Sequence, residues 1–190
     1  MWIKVLMKYL EKGRKEVSMI KKLRLLKVED IEILFNWNIN EKHYEYYTCR
    51  PLNEHKTFED YRNRIIDLIS TKKQMVHILV EEDMVLGKIT LFDFNTRNKS
   101  AEVGYYIPSP NRGKGLGSFM LKSFIETVFE DDKLNLNKIY ATTASNNYPS
   151  IKLLEKSGFK LDGRLREHYF IDENRYDQLI YSMLKREWIK

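Results

Sequence analysis

Four of the eight glycines in this 190-residue chain, Gly104, Gly113, Gly115 and Gly117, crowd into one stretch with Arg112 and Lys114. That stretch joins a strand-like run to an amphipathic helical one. Glycine lets the backbone take positive φ and approach a ligand closely. A helix start adds unpaired N–H groups and partial positive charge. With two cationic side chains beside them, these features make a cradle for a phosphate group. The same stretch also reads as a purely structural glycine-rich turn. Two phosphate-binding patterns are excluded: G-x-x-x-x-G-K-[ST] fails because Gly115 follows Lys114, and G-x-G-x-x-G fails because the glycines stand at 113, 115 and 117.

The elements that must hold this turn follow from periodicity and turn residues. Strands are expected over Lys21–Leu26, Met75–Glu82, Leu86–Phe94, Ser100–Ile107, Lys138–Thr143, Leu161–Phe170 and Tyr176–Leu184, the last two around a turn at Asp172 to Asn174. Helices are expected from Val28 to about Asn38, over Thr57–Ile69, over Leu116–Phe129 and over Ser150–Lys156. The third helix is strongly amphipathic, with Leu116, Met120, Phe124 and Val128 in one row and Leu121 and Ile125 beside it. No repeat or linker divides the chain. The mixed order, with hairpins in the middle and at the end, reads as α/β or α+β around one sheet.

Composition narrows the chemistry. Cys49 is the single cysteine, which excludes a disulfide framework and a cysteine-rich metal site. The four histidines, His43, His55, His77 and His168, show no metal-ligand spacing, so no metal is expected. The net charge of +6 is concentrated in residues 1–25, with eight basic and two acidic side chains; beyond them the charges balance. The basic pI therefore describes one end and not the folded body, and direct nucleic-acid binding is not expected. Residues 1–18 read as a basic N-terminal extension, with Met19 as a candidate start of a single domain over 19–190. Lys4 and Lys8 interrupt the apolar run, so no membrane span is expected; no small-residue cleavage site follows a longer apolar core, so no secretory signal is expected, and the location is read as cytoplasmic.

Arg112, Gly115 and Gly117 fit the pattern [Q/R]-x-x-G-x-[G/A], and Asn147 to Phe159 fits N-x-x-S-I-x-L-L-E-K-x-G-F. Together with Ala101 to Ile107 upstream, they resemble the GNAT superfamily of N-acetyltransferases, over roughly residues 20–188. The resemblance implies a GNAT-like mixed sheet, flanked by helices, whose central strands splay apart to admit acetyl-CoA. It further implies a cofactor set of Tyr105, Tyr106, Ile107, Arg112, Gly113, Lys114, Gly115, Leu116, Gly117, Ser118 and Asn147. The backbone near Tyr105 to Ile107 would pair with the pantetheine arm, and an N–H near Ile107 would stabilise the developing oxyanion. Pro108 and Pro110 suit a strand that stops pairing here. Asn147 would bind the cofactor arm, although Asn-Asn-Tyr-Pro also reads as a plain turn.

The implied reaction is attack of a neutral amine on an acetyl thioester. A lysine-type amine near pKa 10.4 is neutral only about one part in 10³ at pH 7, a deficit of roughly 4–5 kcal/mol; an α-amine near 8 is roughly a tenth neutral. Glu102 is the base candidate, acting through a water from the strand face it shares with Gly104 and Tyr106; its alternative is a solvated or paired strand glutamate. Where many relatives carry a tyrosine acid, this chain has Leu154, leaving Ser150 and Tyr148 as stand-ins.

The acceptor groove is expected to involve Trp37, Tyr46 and Tyr169, with Arg164, Arg166 and His168 nearby; a core role competes for Trp37, and an ordinary edge-strand polar role competes for Arg164, Arg166, His168 and Tyr169. The tail from Gly163 to Asp172 resembles the branch holding ribosomal-protein alanine N-acetyltransferases and aminosugar-nucleotide acetyltransferases. The lead acceptor is thus a protein N-terminal α-amine, with an aminosugar or polyamine second. A non-catalytic acyl-CoA sensor is the alternative from another class. A homodimer is a further expectation.

Overall fold

The structure, a computed structural model, describes residues 20–40 and 57–188. The expected extension over 1–18 lies outside the described residues, as do Tyr46 and Cys49.

Seven strands form one sheet: β1 (Lys21–Leu25), β2 (Gln74–Glu81), β3 (Met84–Asn95), β4 (Ser100–Tyr106), β5 (Lys138–Ala144), β6 (Lys160–Ile171) and β7 (Asn174–Leu184). Their order is β1-β2-β3-β4-β5-β7-β6. All neighbours are antiparallel except β4 and β5, which run parallel. The parallel pairing is short: Ser100 faces Lys138, Ala101 faces Ile139 and Glu102 faces Tyr140. Beyond that rung β4 runs to Tyr106 and β5 to Ala144 with no ladder between them. The central strands are therefore splayed.

Strand alternation sends successive residues to opposite faces, and the two faces carry different helices. On one face Leu79, Ile89, Leu91 and Val103 pack under α3 (Leu116–Glu130), whose Met120, Leu121 and Phe124 have no measurable exposure. Burying a side chain of this size contributes about 1.5–3 kcal/mol. On the other face Val76, Ile78 and Val80 pack against Ile31 and Leu34 of α1 (Ile31–Asn40) and Tyr61 of α2 (Phe58–Ser70).

Some boundaries differ from expectation for local reasons. The first helix is preceded by a 3-10 turn over Val28–Asp30, so α1 proper starts at Ile31. The Asp30 carboxylate holds that turn by accepting the Lys27 N–H at 2.7 Å. The last helix, α4 (Tyr148–Lys156), starts two residues before Ser150. Asn147 caps it, and Pro149 fits the first turn, where its missing N–H costs nothing. The β6–β7 turn is tighter than expected: Asp172 and Glu173 alone form it, both at positive φ, as a two-residue hairpin turn requires.

Candidate functional site

A cavity of about 450 Å³ opens where β4 and β5 part. Its walls are Val103 to Ile107, the loop through Gly115, the start of α3, Ala141 to Thr143, and the first turns of α4.

The loop is shaped by backbone geometry. Gly115 is the N-cap of α3 at φ 75° and supplies no side-chain cap. The first helical bond runs from the Phe119 N–H to the Gly115 carbonyl at 3.1 Å. The N–H groups of Leu116, Gly117 and Ser118 precede it and have no intrahelical acceptor. A Cβ at Gly117 would come within 3.2 Å of the Leu153 side chain, so the close approach of α3 to α4 needs glycine here. Two side chains tie the loop to the sheet. Asn111 Nδ2 donates to the Leu86 carbonyl at 3.2 Å, and Arg112 Nε donates to the Ile107 carbonyl at 2.9 Å. The Arg112 guanidinium also stands 5.9 Å from the Tyr106 ring centre. This arrangement offers directed N–H groups and a fixed cation to an anion.

The splayed strands supply the second half. Thr143 Oγ1 is buried on the cavity wall with no hydrogen-bond partner among the described residues. A buried hydroxyl of this kind costs about 1–3 kcal/mol when left unsatisfied, so a polar ligand arm fits here. Asn147 Oδ1 accepts the Ser150 N–H at 3.4 Å, which makes Asn147 a helix cap as well as a wall residue. Tyr105 Oη and Ser150 Oγ are 2.7 Å apart, linking β4 to α4. Burial pushes the Tyr105 phenol up to about 12. The residues present therefore fit a phosphate-bearing carrier with an amide-containing arm.

On the face carrying α1 and α2, Glu102 is buried and accepts from Thr142 Oγ1 at 2.8 Å. Trp37 of α1 packs on Tyr106 with ring centres 5.6 Å apart, so it is both a packing residue and a neighbour of the cavity wall. Lys88 stands opposite Tyr106 in the β3–β4 ladder, and burial pushes its ammonium down to about 8.

The remaining expected residues are placed differently. Lys114 and Ser118 belong to the loop and helix start but do not line the cavity. Tyr148 is 67% exposed and does not line it either, because it opens α4 on the outer side. Tyr169 is buried in a separate cluster with Ala144 and Ile171. A register shift between Leu165 and Tyr169 re-aims β6 there. Leu154 is fully buried in the core. Thr142 and Thr143 belong to no motif in the sequence; their signal is two adjacent hydroxyls near the end of β5.

A model of the acetyltransferase (GNAT) domain matches residues 23–180. An uncharacterized N-acetyltransferase of Bacillus licheniformis, p20, is 30% identical over 168 residues, 87% of this chain and 93% of that protein. YdaF of Bacillus subtilis, named provisionally as a ribosomal N-acetyltransferase, is 30% identical over 68% of this chain and 67% of its own length. The spermidine N(1)-acetyltransferase of Vibrio cholerae is 27% identical over 88% of this chain and 94% of its own length. A crystal structure of spermidine N-acetyltransferase from that organism, in complex with CoA and spermine, superposes with a TM-score of 0.80 over 90% of this chain and 98% of that one, at 24% identity. The chain belongs to the GNAT acetyltransferase family and is an N-acetyltransferase that draws its acetyl group from acetyl-CoA.

Proposed function

We propose that the acceptor is a primary amine of low basicity, with a protein N-terminal α-amine as the lead. The observation that carries this reading is the chemistry at the fork of the sheet. Glu102 is the base candidate there, and the α4 position where many relatives carry a tyrosine is filled by the buried Leu154. An acceptor already about a tenth neutral at pH 7 asks least of such a site. The similarity to YdaF supports the same reading.

In this reading Arg112 and the N–H groups from Gly113 to Ser118 hold the diphosphate of acetyl-CoA, with Lys114 adding charge from outside the cavity. The backbone of Tyr105 to Ile107, the Thr143 hydroxyl and Asn147 hold its arm. When bound, acetyl-CoA supplies an activated acyl thioester. Glu102 takes the amine proton through a water, and Ser150 serves the leaving sulfur. Tyr148 is the weaker stand-in because of its exposure. Trp37 borders the acceptor from α1. Tyr169 acts indirectly, by packing on Ala144 at the end of β5.

A polyamine is the second acceptor class, favoured by the similarity to the spermidine enzyme over 88% of the chain; an aminosugar is the remaining alternative. No helix among the described residues is long and apolar enough to cross a membrane. We place the protein in the cytoplasm as a homo-oligomer; a dodecameric structure exists for the Vibrio cholerae enzyme. The test is thiol release from acetyl-CoA over a panel of an alanine-starting peptide, spermidine and glucosamine. The peptide is expected to give the highest kcat/KM. A preference for spermidine would move the assignment to the second class, and coenzyme A binding without turnover on any amine would mark a sensor.

A further inference from the structure

We propose that Tyr105 is a positioning residue that turns the Ser150 hydroxyl hydrogen toward the sulfur leaving the acyl thioester. The proposal rests on the acetyl-transfer reading above and deepens it. Tyr105 ends its side chain on Ser150, 2.7 Å from oxygen to oxygen, although the two are 45 residues apart. Both line the cavity in the splay. Ser150 is thereby held twice, since its own N–H donates to Asn147 Oδ1. A serine hydroxyl has one hydrogen and rotates freely unless a partner fixes it. A phenol is the more acidic of the two groups and so donates to the alcohol oxygen. The Tyr105 phenol, pushed up to about 12 by burial, keeps its proton across the working range. With its oxygen occupied by that donor, Ser150 directs its remaining hydrogen into the cavity. Leu154, one turn further along α4, offers no alternative donor.

The step balances without any proton leaving Tyr105 or Ser150. The amine nitrogen bonds to the acetyl carbon, the carbon–sulfur bond breaks, and its electron pair goes to sulfur. Ser150 donates a hydrogen bond to that anionic sulfur. The nitrogen's proton passes through water to Glu102, and the thiolate takes a proton from solvent on release. A hydrogen bond to an ionised acceptor is worth more than a neutral one, so the bound thiol becomes more acidic.

That acidity is the test, because it needs no acceptor amine. Coenzyme A is bound to the full chain and its thiol is titrated by the NMR shift of the methylene beside the sulfur. The wild type, Tyr105→Phe, Ser150→Ala, the double variant and Ser150→Thr are compared. The bound thiol is expected to be about tenfold more acidic in the wild type than in Ser150→Ala. Tyr105→Phe should lose most of that difference, the double variant should match Ser150→Ala, and Ser150→Thr should restore the wild-type value. Additive losses, or a Tyr105→Phe thiol as acidic as wild type, would overturn the proposal, as would a thiol insensitive to every variant. Calorimetry of coenzyme A on the same samples separates this from failure of the cofactor reading, which would appear as no binding at all.

Discussion

Glu102 and Thr142 are joined by a 2.8 Å hydrogen bond just past the last rung that pairs β4 with β5. The bond fastens the two strands at the point where they begin to part. It also fixes a buried carboxylate on the face that carries α1 and α2, next to the cavity through Thr142, which lines it, whereas Glu102 itself does not. Replacing Glu102 with Gln keeps the shape and removes the base. The expected outcome is a fall of about 10²-fold in kcat at pH 7. The deficit should shrink as pH rises, because the amine then supplies its own neutral form. A steady-state pH profile of both proteins checks this.

Gly115→Val tests the loop without touching its cations. A Cβ at this position meets nothing within 4 Å, so sterics with neighbours are not the issue. The cost comes from φ 75°, the left-handed region that a β-branched residue enters with a penalty of about 1–2 kcal/mol. The turn should relax and rotate its N–H groups away from the anion. Coenzyme A affinity is expected to drop at least about tenfold by calorimetry.

Trp37→Ala separates acceptor from carrier. The indole packs on the Tyr106 ring from the α1 side, away from the α3 side of the sheet. Its removal should raise KM for the amine about tenfold or more while KM for acetyl-CoA changes by less than about threefold. Equal effects on both would mean that Trp37 only supports β4.

The ion pair that anchors α1 should give stability a pH dependence. Arg24 Nη1 and Nη2 meet Asp30 Oδ2 and Oδ1 at 2.6 and 2.8 Å. Burial alone would raise the Asp30 carboxyl, but the Arg24 hydrogen bond, the Lys27 N–H and the nearby positive charges outweigh it and hold it below the usual carboxylate value. A depressed folded value means the contribution is complete above about pH 4 and is lost as pH falls through the folded value. Asp30→Ala should therefore cost about 3 kcal/mol at pH 7 in urea unfolding, by leaving Arg24 without its carboxylate. The gap from wild type should narrow steadily below pH 4.

Much of this molecule was legible in order of residues alone. The strand and helix sequence follows from period-two and period-3.6 patterns, and α3 declared itself through Met120, Leu121 and Phe124. The glycine loop was legible because its conformation depends on local backbone freedom. What escaped depends on distant partners. The meeting of Tyr105 with Ser150 is set by how closely β4 and α4 approach, which no local pattern encodes. The place of Tyr169 beside the acceptor rests on the resemblance of the Gly163 to Asp172 tail, which carries no information about strand register. The register shift between Leu165 and Tyr169 decides which face the ring takes, and it lies in the cluster with Ala144 and Ile171. Tyr148, in the first turn of a helix that begins earlier than expected, is largely exposed, and its exposure is likewise set by the packing of α4 and not by its own motif.

A crystal structure of the coenzyme A complex tests most directly whether the Gly115 turn holds the carrier. The diphosphate is expected against the N–H groups between Gly113 and Ser118, with the thiol in the gap between Tyr106 and Thr143. A carrier bound anywhere else on the sheet, with the Gly115 turn untouched, would contradict that placement.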